Sequence, residues 1–136
     1  MCKLKYNFLA GIIITGHLNS YNGAQVEVYN TASGKTCSLS NLPGGESRSG
    51  HTLCGGLLCG DGSLELEKSC LKLNPLTGDF TAASVSLVEA RTEHLCWEVE
   101  GGILLMGGAS SARSTELVGS DGTFSLSDIT LKYNTR

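Results

Sequence analysis

The sequence lacks several features that would assign it to a particular class of protein. Its ten lysine and arginine residues are scattered and the net charge is −3, so nothing predicts a nucleic-acid or anionic-membrane partner. No apolar stretch approaches the ~18 residues that a membrane-spanning helix needs. No apolar period of 3.6 residues predicts amphipathic helices. What remains is a chain of 136 residues, the length of one ordinary domain.

Signatures of catalysis and of metal binding are also missing. There is no G-x-S-x-G nucleophile motif, and no Lys-Ser/Thr follows Gly101-Gly102 as it would in a phosphate-binding loop. No C-x-x-C pair predicts a zinc site. The acidic stretch around Glu65 and Glu67 lacks the spacing of a calcium loop and is better explained as a solvated hairpin. We therefore predict no catalytic residue, no cofactor and no metal, and a protein that is not an enzyme.

Cysteine, by contrast, is abundant, with six residues. They are either small buried hydrophobic residues of a reduced protein or disulfide partners in an extracellular one. The chain has no Asn-x-Ser/Thr site, which slightly disfavours secretion, but cytoplasmic and extracellular locations both stay open. The most plausible bridge joins Cys59 to Cys70, because we expect them at facing ends of two antiparallel strands.

Glycine is abundant as well, and it marks an internal repeat. Three short apolar runs end in glycine at intervals of 44 and 47 residues. These glycines are Gly16, Gly60 and Gly107. Three further glycines, each in a turn after an alternating segment, are spaced by 44 residues. They are Gly34, Gly78 and Gly122. An Arg-x-x-His motif occurs at Arg48 with His51 and returns 43 residues later at Arg91 with His94. Markers that share nearly one period predict a repeated structural unit.

The pattern within each unit predicts short strands. The apolar runs are rich in β-formers and could be covered on both faces of a sheet, whereas the segments before the turn glycines alternate and predict half-buried strands. Glycine in the short loops suits the left-handed backbone of hairpin turns. Four short antiparallel strands in about 45 residues are typical of a propeller blade.

The order of the markers resembles the kelch repeat: Arg-x-x-His, apolar run, glycine pair, short strand, glycine turn, final strand. The best copy spans residues 91–124, with Gly107-Gly108 as the pair. Gly16-His17 and Gly60-Asp61 replace the pair in the other two copies, and the tryptophan of the outer kelch strand is missing. The resemblance implies an all-β fold, a partial kelch-type β-propeller of about three four-stranded antiparallel blades, and binding of a partner protein as the default function.

We treat residues 1–136 as one partial propeller. Its blades cover about 2–40, 48–84 and 91–127, and residues 131–136 begin the next blade. The resemblance implies six or seven blades in a closed kelch ring, and propellers in general use four to eight. The chain is therefore expected to need further blades or assembly, including assembly with itself, before a propeller can close. A fragment or truncated product without independent activity is an alternative.

Loops on one rim form the predicted surface for a protein partner of unknown identity. Loops after strands two and four emerge on the same side, because each strand reverses the chain, and variable loops on a repeated scaffold commonly carry specificity. These loops are residues 17–24, 61–69 and 109–114, joined by 40–47 and 84–90. Four residues are the predicted contacts: His17, Tyr21, Glu65 and Arg113. Ordinary solvated loops are the alternative.

An enzyme resembling galactose oxidase is a further alternative, since kelch-type blades carry a copper site there. That resemblance implies a tyrosine crosslinked to cysteine, with more tyrosine and histidine ligands, and the four tyrosines here show no readable arrangement of that kind. We interpret His51 and His94 as blade histidines bonded to nearby backbone. Trp97 is interpreted as core packing.

Overall fold

The computed structural model describes residues 11–15, 24–45, 47–60, 68–109, 114–119 and 122–126. The regular structure in these ranges is β-strand, apart from one short 3-10 turn at Pro43–Gly45. The prediction of an all-β fold is therefore confirmed. In the same ranges no helix has the length and apolar character to cross a membrane.

The strands form three antiparallel sheets, and within each sheet the spatial order follows the chain. The first sheet contains β1 (Gly11–Thr15), β2 (Val26–Asn30) and β3 (Lys35–Ser38). The second contains β4 (Thr52–Cys54), β5 (Leu57–Cys59), β6 (Ser69–Leu73) and β7 (Phe80–Ser86). The third contains β8 (Leu95–Val99), β9 (Gly102–Met106), β10 (Thr115–Gly119) and β11 (Gly122–Leu126). The second sheet extends two residues beyond the predicted limit at residue 84, because β7 continues through Ser86.

The hairpins β2–β3 and β6–β7 are closed by the same turn chemistry. Asn30 Oδ1 accepts hydrogen bonds from the backbone two and three residues on, and Asn74 Oδ1 accepts one from two residues on. The turn ends at Gly34 and Gly78, whose φ values of 67° and 81° lie in the left-handed region. Glycine adopts that region without the penalty a Cβ imposes. This is why asparagine and glycine recur at these spacings in the sequence.

Two hydrophobic cores join neighbouring sheets. We call the contact between the first and second sheets the first junction and that between the second and third sheets the second junction. Buried residues of the first junction are Val26, Leu42, Leu58, Leu71, Leu73 and Phe80. Those of the second are Cys59, Cys70, Leu87, Ile103, Leu105 and Val118. Because successive residues of a strand face opposite sides, β5 contributes Leu58 to one core and Cys59 to the other.

The prediction that Trp97 packs in the core is wrong. Cys96 and Glu98 of β8 point toward the second sheet, where they bind Cys54 and the Gly55 backbone. Trp97 lies between them in sequence and therefore points to the opposite face, where it is exposed. The alternation in the sequence was real, but it did not show which face of β8 is covered.

Candidate functional site at the junctions between sheets

The first motif arginine, Arg48, is buried and bound to both ends of one loop. Its Nη1 donates to the carbonyl oxygens of Gly60 and Ser69 at 3.2 and 3.1 Å. Its Nη2 donates to Ser69 Oγ at 2.6 Å. Gly60 follows β5 and Ser69 opens β6, so one guanidinium joins the chain on both sides of residues 61–68.

The second motif arginine, Arg91, repeats this arrangement in the third sheet. Nη1 donates to the carbonyl oxygens of Gly107 and Ser114 at 2.6 and 3.1 Å. Nη2 donates to Ser114 Oγ at 2.6 Å. Gly107 follows β9 as Gly60 follows β5, and Ser114 directly precedes β10 whereas Ser69 is the first residue of β6. A planar guanidinium can reach several fixed acceptors at once, and a lysine ammonium could not reproduce that geometry.

A buried carboxylate completes the Arg91 site. Glu116 Oε1 accepts from Arg91 Nε at 2.9 Å, and neither side chain is exposed to solvent. The same carboxylate accepts from the backbone nitrogens of Val88 and Glu89 at 2.7 and 3.0 Å. Leu71 occupies the equivalent place in β6, because it pairs with Leu58 as Glu116 pairs with Leu105. Burial of a charge is tolerable here because donors surround it.

Glu116 was missed at the sequence level. The alternation around it predicted only a half-buried strand, and nothing local distinguishes Glu116 from an exposed glutamate. The turn glycines Gly78 and Gly122 are 44 residues apart and would align Glu116 with Lys72. The glycine spacing therefore gives no signal that Glu116 faces inward, and only the pairing of the strands places it opposite Leu71.

The motif histidines connect adjacent sheets. His51 Nε2 lies 2.6 Å from Thr15 Oγ1 of the first sheet, and His94 Nε2 lies 2.7 Å from Thr52 Oγ1 of the second. The bonds span 36 and 42 residues of sequence, so the expectation of a nearby backbone partner does not describe them. Each histidine thus fixes its own sheet to the preceding one.

Burial lowers the pKa of His94 from 6.5 to about 4. Electrostatic interactions with Arg91 and with His51 lower this pKa as well, in that order, whereas Glu116 raises it. His94 is therefore neutral at physiological pH, and its ring is a hydrogen-bonding group rather than a charge. In the described part of the chain, no three or more His, Cys, Asp or Glu side chains come together as metal ligands.

Two disulfides lie at the second junction, one within its core and one across it. Cys59 and Cys70 are direct neighbours on β5 and β6, with Cα atoms 4.2 Å apart and sulfurs bonded. This is the bridge that the sequence suggested from facing strand ends. A second bond joins Cys54 of β4 to Cys96 of β8, with Cα atoms 6.4 Å apart. Sequence reasoning missed that pair, because its 42-residue separation closes only when the sheets pack.

A cleft of about 680 Å³ opens between the second and third sheets. Its walls include Gly55, Lys72, Pro75, Val85, Glu98 and Gly119. The β4–β5 and β8–β9 turns lie beside it, on the rim opposite the loops that the sequence favoured for binding. The backbone nitrogen of Gly55 donates to Glu98 Oε1 at 2.7 Å, so the carboxylate at this rim already serves the contact between the sheets.

The four predicted partner contacts, His17, Tyr21, Glu65 and Arg113, lie outside the described residues. Their role stays a prediction. One predicted loop, residues 84–90, is partly strand, since β7 includes its first three residues. The structure brings together the two ends of residues 61–68 and the two ends of residues 108–113, through the arginines described above.

The chain matches no protein-family model, and no curated protein matches it by sequence.

Proposed function

We propose that this chain is a segment of a kelch-like β-propeller whose loops bind a partner protein. The observation that carries the proposal is the repeated arginine site. Arg48 and Arg91, 43 residues apart in sequence, bind equivalent carbonyls and an equivalent serine hydroxyl in consecutive sheets. Repeated four-stranded antiparallel sheets are the blades of propellers, and the repeated arginine site supports the interpretation of these two sheets as copies of one unit.

The placement of the anchors supports binding on the loop rim. Each guanidinium ties the two ends of one loop to the sheet, so the loop can vary in sequence while its base stays fixed. Rigid scaffolds that position variable loops are the common arrangement of binding proteins. The two loops held in this way contain Glu65 and Arg113, which are predicted contacts, and arginine is among the residue types enriched at binding hot spots.

Loop replacement tests this function. Residues 61–67, or residues 109–113, would be replaced by Gly/Ser segments of equal length in the immobilised chain. The matched control replaces Pro75, Leu76 and Thr77 in the β6–β7 turn on the opposite rim. Proteins retained from a native extract would be compared by quantitative mass spectrometry, with urea unfolding to establish that each variant folds.

The proposal predicts that a specific partner is lost with either loop replacement and kept with the turn replacement. Loss with the turn replacement alone would assign binding to the opposite rim. Retention of the same proteins by all variants would contradict a role for these loops.

A further inference from the structure

The two ends of the sheet stack expose apolar side chains that face no sheet. The downstream end face is formed by Leu95, Trp97 and Val99 of β8, and the upstream end face by Ile12 and Ile14 of β1. These five residues account for most of the exposed large hydrophobic side chains in the described ranges. Exposed apolar surface that gathers on one face commonly marks an interaction site.

The downstream end face has the register of a sheet junction. Thr52 and Leu95 each pair with the residue before the glycine that ends the apolar run, so they are equivalent, and Cys54 is equivalent to Trp97 two residues later. Both second-sheet residues bind the third sheet, Thr52 through the motif histidine and Cys54 through a disulfide. Leu95 and Trp97 therefore stand where a sheet contacts the one that follows it.

The upstream end face has the complementary register. Leu58 and Leu105 lie two residues before their run-ending glycines, pack against the preceding sheet and are 0% exposed. Ile14 occupies the same place before Gly16, yet it is 47% exposed. The difference has a simple cause, since no described sheet precedes β1. The expectation that the apolar runs are covered on both faces fails here for that reason.

We propose that a second copy of this chain covers both faces. In this dimer the first sheet of each copy packs on the third sheet of the other, so that Ile14 of each copy contacts Trp97 of the other. The contact continues the two junctions inside the chain, because each of them also joins a downstream face to an upstream one. The inference rests on the proposed propeller architecture. Two copies supply six sheets, within the four to eight of closed propellers, and a ring needs such head-to-tail contacts.

Sedimentation velocity of the full chain tests the proposal. The wild type is expected at twice the chain mass. Trp97→Glu and Ile14→Glu should each weaken self-association at least about tenfold, because each places a charge in the apolar contact. Leu76→Glu is the matched control: Leu76 is 80% exposed but lies in the β6–β7 turn, so its variant should keep the wild-type mass.

A mixture of the two single variants separates head-to-tail pairing from other dimers. In a head-to-tail pair of Trp97→Glu with Ile14→Glu, one of the two contacts has wild-type residues on both sides, so mixing should restore part of the dimer. Like-to-like pairing of the downstream faces predicts instead that Ile14→Glu has no effect and that mixing restores nothing. That result would overturn the proposal, as would a monomeric wild type or assembly into open polymers.

Sedimentation of the wild-type and loop-replaced chains also separates self-association from the proposed binding function. The chain with residues 61–67 replaced should still sediment as a dimer, because the flanking strands β5 and β6 belong to the second sheet, whereas the end faces belong to the first and third. A monomeric wild type that retains a loop-dependent partner would contradict self-association and support the binding function. A dimer without any loop-dependent partner would do the reverse.

Discussion

The second and third sheets hold their motif arginines through equivalent acceptors, but they differ at one inward-facing position. In β6 this position is Leu71, which packs in the first junction. In β10 it is Glu116, which accepts hydrogen bonds from Arg91 and from two backbone nitrogens. The comparison shows that the constant part of the unit is the contact between the guanidinium and the loop ends. The inward-facing position beside it accepts either an apolar side chain or a carboxylate whose oxygens are hydrogen-bonded by nearby donors.

The largest expected effect tests this difference directly. Glu116→Leu gives the third sheet the residue of the second, but it leaves the buried Arg91 Nε and two partly buried backbone nitrogens without their acceptor. We expect a loss of about 5 kcal/mol in the free energy of unfolding, measured with urea. Glu27→Leu is the control at the same register position of the first sheet, where the side chain is only half-buried, and it should cost less than about 1 kcal/mol. Equal losses would contradict the role of the donors.

The two disulfides allow the stability contributed by a bond between two sheets to be compared with that of a bond within one sheet. Removing the Cys54–Cys96 bond by double serine substitution should cost about 4 kcal/mol, because the bond closes a 42-residue separation in the unfolded chain. Removing Cys59–Cys70, which closes 11 residues, should cost about 3 kcal/mol. Urea unfolding without reductant measures both. The opposite order would show that the bond between sheets adds little to the native fold.

Substitutions at Gly60 and Gly56 distinguish the stability cost of a close contact from the cost of backbone strain. Both have positive φ, 78° and 73°. A Cβ at Gly60 would lie 2.5 Å from the Arg91 carbonyl oxygen, whereas a Cβ at Gly56 would meet nothing within 4 Å. Gly56→Ala should therefore cost about 1 kcal/mol from strain alone, and Gly60→Ala about 2–3 kcal/mol because the second junction must also shift. Indistinguishable midpoints in thermal unfolding would contradict tight contact at this junction.

A further prediction is a pH dependence of stability at the second junction. The pKa of His94 is about 4 in the folded chain and 6.5 ordinarily, so between these values the unfolded chain binds a proton that the folded chain does not. The free energy of unfolding therefore has its full value above about pH 6.5 and falls toward pH 4. With solvent screening taken into account, the decrease is on the order of 2 kcal/mol. His94→Gln should flatten this part of the curve, because glutamine keeps hydrogen bonding without the charge. A wild-type curve parallel to that of the variant would exclude His94 as its source.

Local chemistry made much of the fold predictable from sequence. The hairpins at Gly34 and Gly78 follow from asparagine and glycine at fixed spacing, and the strands between them follow from short apolar and alternating runs. The facing positions of Cys59 and Cys70 were predictable for the same reason, since both belong to consecutive strands of one sheet.

The features that failed prediction depend on how sheets pack. Trp97 alternates correctly, but which side of β8 is covered depends on the neighbouring sheet. The partners of His51 and His94 lie in the preceding sheet, and Cys54 meets Cys96 only across the second junction. Sequence spacing gives the period of the repeat, whereas the direction in which one unit faces the next is a tertiary property.

The most direct test of this account is the cysteine pairing of the native, unreduced chain. Trypsin cuts after Arg48, Lys68, Lys72, Arg91 and Arg113, which gives peptides 49–68, 69–72 and 92–113. Packing of β4 beside β8 predicts that all three peptides are linked together. A further cut between Leu57 and Leu58 should then separate a Cys54–Cys96 pair from a Cys59–Cys70 pair. Peptide 49–68 closed on itself by a Cys54–Cys59 bond, with peptide 92–113 unlinked, would contradict the packing of the second and third sheets.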